Sequence, residues 1–189
     1  MRIRPIRFLL GLIVASLALG ASCFAAATPG AETTPIPLTL KPDWSTMKFL
    51  AGTWQCSTQS SRRPRPFPTT VVTTMDPTGY WMTQKSATPK LSWAAAINSV
   101  DQVTYDPDQH RWVDVYTDDQ GGYGITYSPG WSGTTMIWKD PLFTPGPNIV
   151  ANSPLTVTKV SDTKQTSHSS FKEKSGRTVT VDTVCTKTS

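Results

Sequence analysis

From Gly52 to Thr186 the chain repeats one pattern: short runs rich in Val, Thr and Tyr, cut at close intervals by turn-forming residues. Within a run the apolar and polar residues alternate, which turns one face of an extended segment inward and the other to water. No long 3.6-residue period interrupts the pattern, so the chain reads as all-β, a sandwich or a barrel. About ten strands are predicted, over Gly52–Ser60, Thr69–Asp76, Gly79–Thr88, Val100–Tyr105, Arg111–Thr117, Gly122–Tyr127, Thr134–Lys139, Leu155–Val160, Gln165–Lys174 and Arg177–Thr186. The reversals between them, such as Asp76-Pro77-Thr78-Gly79, Asp119-Gln120-Gly121-Gly122 and Ser175-Gly176, carry the Gly, Pro, Asp and Ser that tight turns use. Ahead of the first strand, Trp44–Leu50 reads as one or two helical turns with Trp44, Met47 and Leu50 on one side.

Connection lengths favour a closed up-and-down barrel over a sandwich. Successive connections in such a barrel alternate between its two ends. The long ones, 61–68, 89–99 and 140–154, all follow odd-numbered strands and so fall at one end. The predicted shape is a single antiparallel barrel with a decorated rim and a closed base, the short helix at Trp44–Leu50 plugging that base.

The N-terminus has the build of an export signal. Arg2, Arg4 and Arg7 precede an apolar run from Phe8 to Leu19, and Ala25-Ala26-Ala27 offers a small-residue cleavage site. The domain plan is therefore a signal peptide over 1–27, a flexible Pro/Thr/Ala-rich tether over 28–43 and a β-barrel domain over 44–189. The apolar run falls short of the roughly 20 residues a membrane span requires, so no transmembrane helix is expected. Leu19-Gly20-Ala21-Ser22-Cys23 also approximates a lipoprotein cleavage box, which leaves a lipid anchor at Cys23 as the alternative. The expected location is the periplasm or the extracellular space, with attachment to the envelope left open.

Charge excludes one class of partner. The chain carries a formal net charge of +5, but without the three N-terminal arginines 15 Lys and Arg face 13 Asp and Glu. Nucleic-acid binding needs a concentrated basic patch, so none is expected.

With Cys23 lost or lipidated, Cys56 and Cys185 form an even pair, which in an exported chain points to a disulfide. If the first and last strands pair antiparallel with these cysteines opposed, Trp54 must face Lys187, two positions away on the same side. The ammonium would then lie over the indole, closing the barrel.

Phe49-Leu50-Ala51-Gly52-Thr53-Trp54, a short helix running into G-x-W at the first strand, resembles the opening of lipocalins and other calycin-like barrels. In lipocalins a basic residue from the end of the barrel packs over this tryptophan, the place Lys187 would take. With Thr183-Val184-Cys185-Thr186-Lys187 at the end and Tyr105-Asp106-Pro107-Asp108-Gln109-His110-Arg111-Trp112 between, the chain is similar to small exported bacterial proteins of unknown function with lipocalin-like barrels. The nitrobindins, a related group, hold haem through a histidine near their C-terminal strands. Here that resemblance would put the axial ligand at His168, although Cys56 and Thr58 stand where nitrobindins continue G-x-W into glycines.

Catalytic patterns are absent from the sequence. His168 has no nucleophile motif around it, and no closely spaced Cys/His set suggests zinc. Of Asp106, Asp108, Asp114, Asp118 and Asp119, two fall in a turn and two at a strand end, where Asp is an ordinary turn former. A paired-carboxylate site would need Asp114 inside the barrel beside another acid. No catalytic residue and no metal or cofactor site is therefore assigned, haem at His168 being the alternative.

A binding barrel is the leading expectation: a monomeric envelope protein holding a small hydrophobic or amphipathic ligand. Its candidate ligand contacts are Trp93, Tyr116, Tyr123, Tyr127 and Phe143, with Tyr123, Ile125 and Tyr127 alternating on a face expected to point inward. The alternative is a structural or interaction protein with a side-chain-filled barrel. That protein would use the basic loop Ser61–Pro68 and the apolar loops around Trp93 and Phe143 against a partner.

Overall fold

Thr- and Val-rich segments with branched side chains favour extended backbone, and the computed structural model shows them as strands of one sheet that closes on itself. It describes residues 40–143 and 149–189, without side chains at 140–143. The predicted signal segment and most of the tether lie outside these residues.

Twelve strands run in order: β1 (Gly52–Ser60), β2 (Phe67–Met75), β3 (Met82–Thr88), β4 (Ile97–Asp106), β5 (Arg111–Asp118), β6 (Tyr123–Ser128), β7 (Trp131–Ser132), β8 (Thr135–Phe143), β9 (Ile149–Asn152), β10 (Leu155–Ser161), β11 (Lys164–Glu173) and β12 (Thr178–Lys187). Antiparallel pairing links neighbours around the ring, β1 to β12 at one seam and β8 to β10 at another. The two-residue β7 pairs only with β8 and the short β9 only with β11, which leaves ten strands in the closed barrel.

At the β1–β12 seam the predicted register holds residue for residue. Cys56 is opposite Cys185 and disulfide-bonded to it, and Trp54 is opposite Lys187. Lys187 Nζ lies 5.7 Å from the Trp54 ring centroid and donates to the Phe49 carbonyl at 3.0 Å. The indole is 1% exposed, and its N–H donates to the Leu50 carbonyl at 2.8 Å. Gly52 of the G-x-W motif has φ +123°, and a Cβ there would collide with the Ser189 carbonyl. Glycine lets the chain enter β1 while Thr53 N–H bonds that same carbonyl at 2.8 Å.

Two 3₁₀ turns, Trp44–Thr46 and Lys48–Leu50, plug the base. Asp43 caps the first by accepting from Ser45 N–H. Met47 and Leu50 drop into a cluster with Met82, Val103, Trp112, Met136 and Trp138. Trp44 stacks on Trp112 with centroids 5.0 Å apart and donates its N–H to the Gly79 carbonyl at 2.9 Å. That last bond draws residues 76–81 into a turn, so β3 begins at Met82 rather than at the predicted Gly79.

Two further departures lie toward the rim. The β8 strand continues to Phe143 where a loop is predicted, and Ile149–Asn152 pairs with β11 where the same loop was expected to run free. Edge hydrogen bonds to an existing strand extended both segments, a long-range effect their Pro-rich sequence does not announce.

Cutting the seam is the expected way to loosen the fold. Replacing Cys56 and Cys185 with Ala should destabilise the chain by about 2–5 kcal/mol, as expected for a cross-link that closes so long a loop. The shift in urea midpoint against the oxidised parent measures it.

Candidate functional site

Each strand turns every second residue into the barrel, so the pairing register determines what lines the interior. Trp54, Cys56, Thr58 and Ser60 face Lys187, Cys185, Thr183 and Val181 across the seam, and the Thr58 and Thr183 hydroxyls bond at 3.0 Å above the disulfide. On the far wall β4 and β5 contribute Asp101, Val103, Asp114 and Tyr116.

These walls leave two cavities. One, of about 160 Å³, lies toward the base and is lined by Met82, Val103, Met136, Trp138 and Val157 together with Gln84, Gln165 and Ser167. The other, of about 340 Å³, lies toward the rim between Tyr116, Thr126, Ile149, Phe171 and Val181. Asp101, Asp114 and Leu155 line both and form the waist between them.

Two carboxyl groups inside a barrel are the unexpected feature. Asp101 faces Tyr116 across the β4–β5 ladder, and Asp114 faces Val103. The two aspartates are thus diagonal neighbours on one face, a relation that typically separates residues by about 7–8 Å. Burial, and then the negative charge of Asp114, push the Asp101 pKa well above the usual carboxylate range. Asp114 accepts from the Thr126 hydroxyl at 3.4 Å. Asp101 is not legible as an interior residue in the sequence, because Ser99-Val100-Asp101-Gln102 gives no local sign of which residue turns inward.

Tyr116 stands above this pair. Burial raises its phenol pKa, as do the hydrogen bond and charge of Asp118, so the hydroxyl stays protonated and donates to Asp118 at 2.8 Å. Burial tends to raise the Asp118 pKa in turn, but N–H donors from Gly122 and Gln120 and the Tyr116 hydroxyl outweigh it and hold the carboxylate below its ordinary range. A Cβ on Gly122 would run into that carboxylate, so the glycine of this hairpin makes room for it.

Of the four expected ligand contacts whose side chains are described, Tyr116 alone lines one of the two cavities. Tyr123 and Tyr127 are corrected. Gly124, Thr126 and Ser128 oppose Tyr116, Asp114 and Trp112 on the inner face, which puts Tyr123, Ile125 and Tyr127 on the outer one. Tyr123 is 50% exposed, and Tyr127 is covered from outside by the Arg111 guanidinium, 3.6 Å from its centroid. The inner face takes small residues because Tyr116 already fills the space opposite Gly124.

Trp93 stays at the rim, edge-on to Phe67 at 5.8 Å and under the Arg63 guanidinium at 4.3 Å. The side chain of Phe143 lies outside the described residues. Arg62 meets Glu173 at 3.2 Å, and Arg177 donates to the same carboxylate at 2.8 Å. Two arginines of the basic loop are thus engaged within the chain.

His168, the proposed haem ligand, faces away from the cavities, with Nδ1 2.7 Å from Asp182 on the exposed outer surface. His110 occupies the β4–β5 turn with φ +50°. Neither imidazole lines a cavity. Among the described residues no three His, Cys, Asp or Glu side chains group as a metal site.

The buried aspartate generates a prediction with a definite sign. A carboxyl whose pKa is higher in the folded chain than in the unfolded one binds more protons when folded. Its stabilising contribution is therefore lost as pH rises from the ordinary aspartate range through the raised value. Asp101→Asn should raise the melting temperature at neutral pH, by about 2–4 °C for each kcal/mol relieved, and flatten the pH dependence above the acid range. Melting curves of parent and variant across that range test this.

No family model matches the chain, and no curated protein sequence matches it. Among solved structures, Rv2717c from M. tuberculosis aligns with TM-score 0.55 and 14% identity, over 80% of this chain and all of that one. A protein of unknown function from the DUF3598 family of Nostoc punctiforme aligns with TM-score 0.51 and 12% identity, over 75% of this chain. This chain spans about half of that protein's length, 48%. At such identities the likeness is one of fold: the chain is an antiparallel β-barrel with a fold similar to these two proteins.

Proposed function

We propose that this chain is an exported binding protein of the cell envelope that carries a small amphipathic molecule inside its barrel. The observation that carries the reading is the pair of cavities joined at Asp101, Asp114 and Leu155. A barrel that served only as a scaffold would fill its interior with side chains to ordinary packing density. The base-side cavity is comparable with an engineered apolar cavity of about 150 Å³ that takes up benzene. The rim-side cavity leaves room for a further group, and its wall mixes Phe171, Val181 and Ile149 with Ser and Asn side chains. An apolar pocket with a few convergent polar groups is the usual make-up of a small-molecule site.

Export is supported by the charged and apolar N-terminal pattern together with the Cys56–Cys185 bridge, a bond that persists in oxidising compartments. The intact mass of the exported chain should correspond to a start near Thr28. A diacylglyceryl-modified Cys23 would give the lipid-anchored alternative, and retention of Met1 would remove the export reading.

Binding is checked by solvent extraction and mass spectrometry of the protein purified from the envelope. A stoichiometric small molecule is expected from the parent. Little or none is expected from Leu155→Trp, whose indole would block the waist. Equal, empty extracts from both would overturn the proposal.

A further inference from the structure

The interior holds polar groups that no described residue pairs. The half-buried Asp101 carboxyl lines both cavities and receives no hydrogen bond from a described residue; burial and the Asp114 charge both disfavour its ionisation. Gln165 Oε1, on the wall of the base-side cavity, is shut off from solvent without a hydrogen-bond partner. Carboxylate and amide oxygens are acceptors, so what these two groups lack is a donor. Among the described residues, neither cavity is lined by Lys, Arg or His, so none of them supplies a positive donor.

We propose that the barrel binds a small organic ammonium ion, with Asp101 as its counter-ion at the waist and the apolar part of the ligand in the base-side cavity. This deepens the binding reading above and rests on it. An ammonium group offers three N–H donors and a full positive charge, and its bonds to a carboxylate are charge-assisted. An isolated carboxylate taken out of water incurs several kcal/mol of desolvation, as does an ammonium, and only their pairing offsets both. Asp114 adds the second negative group. Gln165 Oε1, across the same cavity on β11, accepts a further N–H, and Trp131 Nε1, also buried without a hydrogen-bond partner, offers one donor to a ligand that carries an acceptor as well. Trp138 presents a ring against which a cation is favourably held.

A divalent metal ion fits less well. Calcium takes six to eight oxygen ligands, whereas among the described residues no three His, Cys, Asp or Glu side chains group as a metal site.

The groups that face Asp101 are known from each strand beside it. Gln84 is opposite on β3, and Tyr116 and Asp114 stand on β5, with Asp118 held behind Tyr116. None is positive. In the free protein burial and the Asp114 charge favour the protonated form of the Asp101 carboxyl, and binding exchanges that proton: the carboxyl O–H breaks, the proton passes to solvent, and the ligand ammonium takes its place. Ammonium affinity accordingly rises with pH through the raised carboxyl pKa, while a neutral ligand of the same shape is indifferent to this exchange.

Benzylammonium and benzyl alcohol are matched probes, differing in charge and hardly in size. Calorimetric titration of the full chain with each, between about pH 5 and about pH 8, keeps the amine protonated throughout. The expected result is at least about a tenfold preference for benzylammonium at the upper pH. That preference should shrink toward the lower pH, with proton release visible as a dependence of the heat on buffer ionisation. In Asp101→Asn the ratio of the two affinities should fall by about tenfold. Equal binding of the two probes by the parent at every pH, with an unchanged ratio in Asp101→Asn, would overturn the ammonium assignment and leave the binding reading standing. Failure of both probes to bind would overturn the binding reading, and the ammonium assignment with it.

Discussion

The barrel depends on the seam between its first and last strands. A twisted sheet of this size either closes or leaves two edges of unpaired amide groups. Closure requires β1 to find β12, elements separated by 129 residues at their cysteines. Backbone pairing, the Cys56–Cys185 bond and the Lys187 ammonium over Trp54 coincide on that one ladder. The ammonium also bonds the Phe49 carbonyl, so the same residue that ends the barrel anchors the 3₁₀ turns that plug it. Trp54 donates back to Leu50 in the same plug. Base, seam and entry segment are one connected assembly.

A base so firmly packed makes the waist notable. Close-packed apolar side chains give way directly to a pair of carboxyl groups between cavities, Asp114 standing opposite the core residue Val103. Burying two acids on diagonal positions works against stability, since each disfavours ionisation of the other. The fold carries this strain because the surrounding ladder is held elsewhere, by the seam and by the methionine and tryptophan cluster below. Proteins commonly place such tension where a ligand relieves it, and that expectation motivates reading Asp101 as a counter-ion.

The rim differs from the interior in how its charges are used. Glu173 is held by Arg62 and Arg177, and Arg63 lies over Trp93. These contacts tie the β1–β2 connection to its neighbours on both sides. The loop residues that suggested a partner surface in the sequence thus meet each other, whereas the inner acids find no cation on the cavity walls.

The strands and their ends were largely legible in the sequence because alternation, turn residues and an even pair of cysteines are local or arithmetic signals. The predicted β1 matches at both ends, and the opposition of Trp54 and Lys187 followed from one assumed pairing. Facing was not legible. Tyr123, Ile125 and Tyr127 alternate as cleanly as Gly124 and Thr126 do, and a period of two leaves the choice of face undecided by one residue. Bulk suggested that the tyrosines point inward; the tyrosine of the neighbouring strand, Tyr116, had already taken that space. Asp101 is illegible for the same reason, because nothing in Ser99-Val100-Asp101-Gln102 turns it inside. The sequence by itself determined that this chain forms a closed antiparallel barrel and where its ends meet. Only the tertiary structure decided which face of each strand became the lining, because that depends on cross-strand register and on competition for volume, which no segment carries alone.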